Sequence, residues 1–325
     1  MLKNKMDSLH VIPGKGLGGQ FTLGMSITKA INKFKNLSTK IPEVQVVEEI
    51  ETKRIYLIVP DCRIKLVFDE LYQKLIIIEI NCTECEAPNI LIVFKSQMYS
   101  NYQEILNDLE DSFMPNYLDE NIILETYHGM SIIRDQGKLS KILIHKGNKL
   151  PEIQGIQMPK INEYLVYLNE KIIVKTPNGK SIELAWGSFP ETVIEILGPP
   201  DELFYKQSQN VQSNDYFYNY FSEGFDLMFD GNSNQLKKAI LYTNMPDYYL
   251  FNEYDRCNFK LFVNEHLVNP LTKWDEIIEI FEGHPKDEGN RRYPYGFEPT
   301  RYFSFKGVLF EVSNSGYIGS ITISL

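Results

Sequence analysis

The chain has 325 residues, of which 43% are hydrophobic and 23% charged, so it can form a globular protein with a sizeable core. Its net charge of −10 argues against general nucleic-acid binding, which needs a basic surface to neutralise phosphates. No apolar run reaches the length of a membrane span, the first residues lack the apolar segment of a secretory signal, and four cysteines are too few for a disulfide scaffold. A cytoplasmic protein is expected.

The first part of the chain is basic, with seven lysines and one acid, Asp7, before Glu43. Three of the lysines, Lys29, Lys33 and Lys35, lie in a segment with helical periodicity, 26–36. They are candidates for a membrane-facing surface that attracts anionic lipid. The alternative is an ordinary solvated helix face.

Two short motifs resemble binding sites but lack the context that a site needs. The glycine-rich segment 14–19, GKGLGG, is preceded by Pro13 and followed by an extended-looking segment instead of a helix, so a flexible loop is expected. Cys82 and Cys85 form a C-x-x-C pair without a second pair nearby, and a structural zinc needs four ligands. We therefore predict no cofactor and no metal.

The chain repeats a short pattern, which is an alternating apolar run, a polar turn and a second apolar run. This pattern is typical of a β-hairpin. It occurs at 62–80, 129–145, 224–243 and, more loosely, 306–323. In the best-matched pair the first run ends in Phe68-Asp69 and in Phe229-Asp230, where the aspartates are expected to cap the turns.

A segment with helical periodicity precedes each hairpin, at 26–36, 101–113, 188–198 and 273–283. In the third segment, Ser188 is expected as N-cap and Gly198 as the stop. The pattern predicts an α+β fold of about four tandem helix–β-hairpin units, forming two similar halves with antiparallel sheets. Prolines and glycine between 150 and 180 suggest domains at 1–165 and 166–325.

Aromatic residues are concentrated in 214–230, NDYFYNYFSEGFDLMFD. Phe225, Leu227 and Phe229 alternate with other residues and have counterparts in the other hairpins, so they are predicted to be core. The aromatics that precede them have no such counterparts and are left open as a surface feature; they are Tyr216, Phe217, Tyr218, Tyr220 and Phe221.

The segment Lys273–Ile277 has the form aromatic-x-x-aliphatic with acids between. This form is similar to the short motif by which autophagy proteins add a strand to ubiquitin-like partners. The helical repeat instead places Trp274 and Ile277 on a buried face, and burial is the prediction. No catalytic motif is found, so the chain is not expected to be an enzyme.

Several segments resemble the phagosome assembly factor 1 family in the same order; they are 214–230, 236–261, 272–285 and 306–312. The resemblance implies a cytoplasmic, non-enzymatic protein of the phagophore assembly site. It also implies a complex with a β-propeller partner of the BCAS3 type and association of that complex with phosphoinositide-bearing membranes. It supplies no catalytic residues.

The segment 244–259 lies outside the repeats and is the predicted partner-binding surface, with candidates Tyr248, Tyr249, Phe251, Tyr254 and Arg256. The alternative is a loop packed on its own hairpin. The leading functional hypothesis is an autophagy adaptor that acts through protein–protein interaction. The second hypothesis is a small-ligand-binding protein or cryptic enzyme with a pocket between the halves.

Overall fold

The computed structural model describes residues 8–37, 44–49, 51–59, 63–82, 89–94, 97–99, 114–119, 122–148, 150, 161–168, 170–206, 214–263, 266–281, 285–293 and 298–324. The chain forms two compact units, Met1–Pro159 and Lys160–Leu325, which we call unit 1 and unit 2. The position 165/166 lies within a strand of unit 2, Glu163–Tyr167. No helix in these ranges has the length and apolar character that crossing a membrane requires.

Unit 1 contains thirteen described strands and one described helix, α1, which spans Ile27–Leu37. The strands are β1 (Ser8–Ile12), β2 (Gly16–Leu17), β3 (Phe21–Thr22), β4 (Gln45–Glu49), β5 (Arg54–Val59), β6 (Ile64–Asp69), β7 (Leu75–Asn81), β8 (Asn89–Phe94), β9 (Gln97–Tyr99), β10 (Met114–Asp119), β11 (Ile122–Tyr127), β12 (Met130–Asp135) and β13 (Lys138–His145). The helix predicted at 101–113 lies outside the described residues.

Unit 2 contains a further thirteen described strands and two helices, α2 (Pro190–Leu197) and α3 (Trp274–Ile280). Its strands are β14 (Glu163–Tyr167), β15 (Lys171–Lys175), β16 (Ser181–Ala185), β17 (Glu202–Tyr205), β18 (Tyr216–Tyr220), β19 (Phe225–Phe229), β20 (Leu236–Tyr242), β21 (Phe259–Val263), β22 (His266–Val268), β23 (Lys286–Arg291), β24 (Thr300–Phe305), β25 (Val308–Val312) and β26 (Ile318–Ser324).

Each unit has a five-stranded and an eight-stranded sheet with corresponding strand orders. The orders are β3-β2-β1-β8-β9 and β10-β11-β12-β13-β7-β6-β5-β4 in unit 1, and β16-β15-β14-β21-β22 and β17-β18-β19-β20-β26-β25-β24-β23 in unit 2. In each five-stranded sheet the two halves meet through a parallel pair, β1 with β8 and β14 with β21. In each eight-stranded sheet two four-stranded meanders meet through an antiparallel pair of their last strands, β7 with β13 and β20 with β26.

The fold is mostly antiparallel sheet with few helices, which is compatible with the predicted α+β class. The prediction of tandem helix–hairpin units was wrong, because each described helix is followed by four strands and preceded by two or three. The additional outer strands escaped prediction because they do not share the alternating pattern of the hairpins. β23, for example, is KDEGNR, and all six of its residues are exposed.

The four predicted hairpins share details of backbone geometry as well as sequence. They are β6–β7, β12–β13, β19–β20 and β25–β26, and each contains a register shift near its turn. The residue before each hairpin has a positive φ; these residues are Arg63, Gly129, Gly224 and Gly307. In each hairpin the carbonyl of that residue accepts an N–H bond from the end of the second strand; the donors are Asn81, His145, Tyr242 and Ser324. The repeat is therefore structural.

The turns and helix ends largely follow the expected chemistry. The Asp69 carboxylate accepts backbone N–H bonds from Tyr72 (2.6 Å) and Lys74 (2.9 Å), as predicted for a turn aspartate. Gly198 ends α2 and donates its N–H to the Ile194 carbonyl at 2.8 Å. Ser188 is not the N-cap: Phe189 occupies that position, and the Ser188 hydroxyl donates to the Ala185 carbonyl at 2.7 Å.

The core of unit 2 lies between its two sheets and includes residues of both helices. Phe225, Leu227 and Phe229 of β19 are buried in it, as predicted. From α3, Trp274 and Ile277 are buried as well, and the Trp274 ring lies 4.3 Å from that of Phe303. Burying a large apolar side chain contributes about 1.5–3 kcal/mol. A role in the core is therefore sufficient to explain why apolar residues recur at these positions of the repeated pattern.

Candidate functional site

The predicted partner-binding segment, 244–259, packs against unit 2 on the sheet face opposite the main core. Along β19, Phe225, Leu227 and Phe229 point into the core, so Asp226 points to the other face. On that face, residues of the segment join strand residues in a separate apolar cluster of Tyr242, Met245, Tyr248 and Tyr254. The segment is thus a cover for the sheet and not a free loop.

Asp226 is the centre of the first polar network under this cover. Its Oδ1 accepts hydrogen bonds from Asn219 Nδ2 (2.8 Å) and the Tyr254 hydroxyl (2.9 Å), and its Oδ2 accepts one from the Tyr242 hydroxyl (2.8 Å). Burial raises the pKa of the Asp226 carboxyl, and the three donors oppose this effect only in part. The network attaches Tyr254 firmly to the sheet.

Glu311 of β25 is the centre of a second network. Its Oε2 accepts hydrogen bonds from the Tyr248 hydroxyl (2.6 Å) and Ser320 Oγ (3.0 Å). Its Oε1 accepts bonds from Thr300 Oγ1 (2.7 Å) and from the Tyr293 hydroxyl. Burial raises the pKa of Tyr248 well above its usual value, so its hydroxyl stays protonated and donates. The Glu311 carboxylate therefore holds the segment in place through Tyr248.

Arg256 is buried too, and it bonds within the protein. Its Nε donates to the Thr243 carbonyl at 2.5 Å, and its Nη2 lies 3.0 Å from Met245 Sδ. Arg256 lies near the end of the segment, and Thr243 and Met245 lie at its start, so these contacts fix the two ends to each other. The guanidinium group is not presented to a partner.

The expectation that all five candidates are surface residues was wrong for Tyr248, Tyr254 and Arg256, which are buried. For the two tyrosines the physical reason is the pair of acids beneath them, since a buried carboxylate requires donors, and Arg256 is held by the Thr243 carbonyl. Tyr249 and Phe251 remain half-buried, and the Tyr249 ring stacks on Tyr293 at 3.7 Å. A partner-binding role for Tyr249 and Phe251 stays a prediction.

The three lysines of the basic helix differ in their surroundings. Lys29 and Lys35 are exposed on α1, whereas Lys33 is half-buried and donates from Nζ to the Gly19 carbonyl at 3.3 Å. On the opposite side of the helix, Phe34 is buried with its ring 4.6 Å from that of Phe21. The membrane-facing role of the lysines stays a prediction.

The aromatic stretch before β19 belongs mainly to the sheet. Tyr216 and Tyr218 pack on Phe229, with ring centroids 5.3 and 4.8 Å apart, and Tyr220 packs on Phe225 at 5.1 Å. Phe221 instead lies 4.9 Å from Tyr254. These aromatics extend the two apolar clusters of unit 2, and they leave only partial exposure at Tyr216, Phe217 and Tyr218.

The exposed aromatic surface that sequence reasoning missed is the neighbouring strand, β17. It is one of the two outer strands of the eight-stranded sheet of unit 2, and Leu203, Phe204 and Tyr205 are 44%, 53% and 60% exposed. The signal was the run Leu-Phe-Tyr directly after Pro199, Pro200, Asp201 and Glu202. This run was too short to show alternation.

The other places where chemistry could occur lie inside the two units. Within unit 2 a cavity of about 10 Å³ has room for roughly one water molecule. It is lined by Tyr164, Val166, Ile172, Val174, Leu184, Leu197, Phe225, Leu227, Ala239 and Leu241. In unit 1, Ser131 Oγ lies 2.8 Å from His145 Nε2, but both residues are fully buried and burial lowers the pKa of the histidine.

The two short motifs take structural roles. The glycine-rich segment 14–19 forms tight turns around β2, and α1 begins only at Ile27, so no helix N-terminus follows the glycines. Cys82 is a buried free thiol, and Cys85 lies outside the described residues. In the part of the chain that the structure describes, no three His, Cys, Asp or Glu side chains form a group that could hold a metal ion.

Comparisons with known proteins bear on these observations. A family model described as phagosome assembly factor 1 matches residues 126–324. A PHAF1 protein of Arabidopsis thaliana is 31% identical over a match that covers 43% of this chain and 40% of the plant protein. PHAF1 proteins of Caenorhabditis elegans and Drosophila melanogaster are 22% and 24% identical, and the matches cover 96% and 98% of this chain and 93% and 94% of the relatives.

Among solved structures, Hsv2 of Kluyveromyces lactis is 8% identical and has a TM-score of 0.13; the match covers 85% of this chain and 63% of that one. Hsv2 of a second Kluyveromyces species is 9% identical with the same TM-score, and the match covers 83% and 62%. At these TM-scores the likeness supports nothing about the fold or the partners of this chain.

Proposed function

Because the chain belongs to the phagosome assembly factor 1 family, we propose that it is a non-enzymatic adaptor that acts in autophagy at the phagophore assembly site. The observation that carries this proposal is the family match over residues 126–324, which includes nearly all of unit 2. An adaptor works through the surface of a stable body, and the repeated antiparallel sheets of each unit supply such a body.

The proposed partner is a β-propeller protein, and membranes bearing phosphoinositides are contacted through the resulting complex. Half-buried Tyr249 and Phe251 are proposed contacts of the partner, since aromatic residues of this kind dominate binding energy at protein interfaces. The exposed lysines Lys29 and Lys35 are proposed to contribute electrostatic attraction to anionic lipid, roughly 1 kcal/mol for each lysine near the surface.

The buried polar groups support a role without catalysis. A general acid or base must reach the proton that it transfers. In unit 2, Asp226 and Glu311 already accept hydrogen bonds from protein groups on both carboxylate oxygens. In unit 1, the Ser131–His145 pair has no exposed surface. These groups therefore act as structural members of their sheets.

The adaptor role is tested by affinity purification of the tagged full-length chain from fed and starved cells, followed by mass spectrometry. The expected result is recovery of a β-propeller protein, with weaker recovery for Tyr249→Ala plus Phe251→Ala. Phe189→Ala, at a 51% exposed position outside the segment, is the matched control. Recovery of a small-molecule-metabolising complex in place of any propeller would contradict the proposal.

Membrane association is tested separately with vesicles that carry phosphatidylinositol 3-phosphate. The chain alone is expected to bind them weakly, and the chain mixed with its recovered propeller is expected to bind them strongly. Lys29→Glu plus Lys35→Glu should reduce binding of the mixture, whereas reversal of two acids on exposed β23, Asp287→Lys plus Glu288→Lys, should not. Equal binding by all the mixtures would show that Lys29 and Lys35 do not contact the membrane.

A further inference from the structure

The outer strands of the eight-stranded sheets differ in how they are protected against pairing with another chain. β10 contains Pro115 and a register shift, and β4 ends in Glu48 and Glu49. β23 carries four charged residues among its six and also contains a register shift. Charges, prolines and bulges of this kind are the usual means by which proteins keep sheet edges from associating.

The fourth outer strand, β17, has none of these features between Leu203 and Tyr205. Its pairing with β18 is regular, with Leu203 opposite Tyr218 and Tyr205 opposite Tyr216. All four residues of the strand are exposed. An unprotected edge with exposed apolar side chains is a template for pairing with an additional strand.

Among the residues that the structure describes, no strand pairs with the outer side of β17, and part of its backbone points to that side. Lys206 donates its N–H to the Asp215 carbonyl at 3.0 Å, so this residue bonds towards β18. Because the bonding direction alternates along an antiparallel strand, Phe204 and Glu202 also bond towards β18. The N–H and C=O groups of Leu203 and Tyr205 therefore point away from the sheet.

The segment Glu202–Lys206 is self-complementary when two copies run antiparallel with Phe204 on the two-fold axis. Leu203 of one copy then pairs with Tyr205 of the other, and the two pairs exchange four backbone hydrogen bonds. Phe204 faces its own counterpart in the close, non-hydrogen-bonded position. Glu202 lies opposite Lys206 twice, and both residues are exposed in the single chain.

We propose that β17 pairs with β17 of a second copy of this chain, so that the two eight-stranded sheets join across a two-fold axis. A two-fold interface requires a surface that complements itself, and here the backbone, the apolar residues and the charges all do so in one register. Pairing through a short exposed strand gives a weak dimer. This inference is independent of the proposed adaptor function.

The test is a charge exchange on the full chain, with the monomer–dimer equilibrium measured by sedimentation velocity over a range of concentrations. Glu202→Lys and Lys206→Glu each place like charges opposite each other and should each weaken dimerisation about tenfold or more. The double variant, with both changes, restores opposite charges and should dimerise nearly as well as the wild type.

Two further variants separate pairing from folding. Tyr205→Pro removes an N–H that points away from the sheet and leaves the hydrogen bonds between β17 and β18 in place. It should therefore abolish dimerisation and leave the circular dichroism spectrum unchanged. Val47→Lys is the control, because Val47 is 43% exposed on the outer strand β4 of unit 1. It should not change the equilibrium.

Three results would overturn the proposal. The first is a chain that is monomeric at every concentration. This result overturns the proposal both when the amides at 203 and 205 exchange freely with solvent and when the chain's own residues protect them from exchange. The second is a dimer that is indifferent to the single charge reversals or is not restored by the double variant. The third is a monomer whose recovered protein partners disappear in Tyr205→Pro, since the edge would then bind a partner strand.

Discussion

The Tyr248 hydroxyl donates a 2.6 Å hydrogen bond to Oε2 of Glu311, and through this bond the segment after β20 is attached to β25. Tyr248 is 1% exposed, although it lies in a segment without strand or helix pattern. The segment therefore contributes to the stability of unit 2, and substitutions in it have to be interpreted as changes in packing before they are interpreted as changes in binding.

Tyr248→Phe should lower the free energy of unfolding by about 1.5–3 kcal/mol, because it removes a hydrogen bond to a charged group and leaves a buried carboxylate with one donor fewer. Tyr248→Ala should cost about 3–5 kcal/mol, because it also leaves a cavity. Chemical denaturation measures both values. Tyr205→Phe, at a 60% exposed tyrosine, is the control and should change stability by less than about 0.5 kcal/mol. Equal effects at the two positions would contradict the burial of Tyr248.

The pH dependence of stability should reveal Asp226. Since burial raises the pKa of its carboxyl, the folded chain binds this proton more tightly than the unfolded chain does. The stabilising contribution is complete below the unfolded pKa, about 3.9, and is lost as pH rises through the folded value. The difference in unfolding free energy between wild type and Asp226→Asn should therefore decrease as pH rises above about 4.

Asp230 supplies a control of opposite sign. Backbone N–H bonds from Ser233 and Asn232, with Lys237 nearby, lower the pKa of Asp230 to about 2. Its contribution is present above the unfolded pKa and is lost as pH falls through the folded one. The difference between wild type and Asp230→Asn should increase with pH between about 2 and 4. If the two stability differences changed with pH in the same direction, the opposite pKa shifts of Asp226 and Asp230 would be contradicted.

Gly224→Ala should be strongly destabilising. Gly224 has φ +80, and a Cβ there would overlap the Asp255 carbonyl oxygen and the Cys257 backbone nitrogen. Gly179 is the matched control, since it has φ +81 and nothing within 4 Å of its Cβ position. Gly179→Ala should cost about 1–2 kcal/mol for the left-handed conformation alone. Thermal melts should show a clearly larger loss for Gly224→Ala.

Trp274→Ala should destabilise unit 2 by about 3–5 kcal/mol, since the indole is buried against Phe303 and Phe310. Loss of binding in this variant would therefore report loss of folding. Ile278→Ala on the same helix, at a 41% exposed position, should be nearly neutral. If Trp274→Ala melted like the wild type, the side chain would be available as part of an exposed aromatic-x-x-aliphatic motif.

The Cys82 thiol should be unreactive in the folded chain. Burial raises its pKa to about 11, so roughly one molecule in a thousand carries the thiolate at pH 8. Iodoacetamide followed by mass spectrometry should show slow alkylation of Cys82 in buffer and rapid alkylation in guanidinium chloride. Rapid labelling under native conditions would mean that the strand end around Cys82 opens.

The local pattern was sufficient for the hairpins and their inward faces. The alternation Phe225-Asp226-Leu227-Met228-Phe229 predicted a strand with three core residues, and α3 was predicted from the spacing of Trp274 and Ile277. The same pattern missed β17, which has four residues, and β23, which is polar throughout. Outer strands carry a weak signal because they bury little, and for this reason the repeat appeared shorter than it is.

The sequence located the candidate site, but it did not show whether the site is exposed. Tyr248, Tyr254 and Arg256 have the composition of an interface, and in an alternating strand Asp226 and Glu311 are at positions that usually face solvent. In the structure the segment covers both acids, and each tyrosine hydroxyl becomes a donor to a buried carboxylate. Composition alone could not distinguish a surface that binds a partner from one that binds its own sheet.

The sequence by itself determined the class of fold, the four hairpins with their turns, and the apolar residues that face inward, because each of these depends on neighbours along the chain. The tertiary structure decided that β20 pairs with β26, that the segment 244–259 covers Asp226 and Glu311, and that no described strand pairs with the outer side of β17. These outcomes depend on which edges and faces meet after the hairpins have formed. Contacts between residues far apart in the chain are selected by shape and by unsatisfied hydrogen-bonding groups, and a local pattern contains neither.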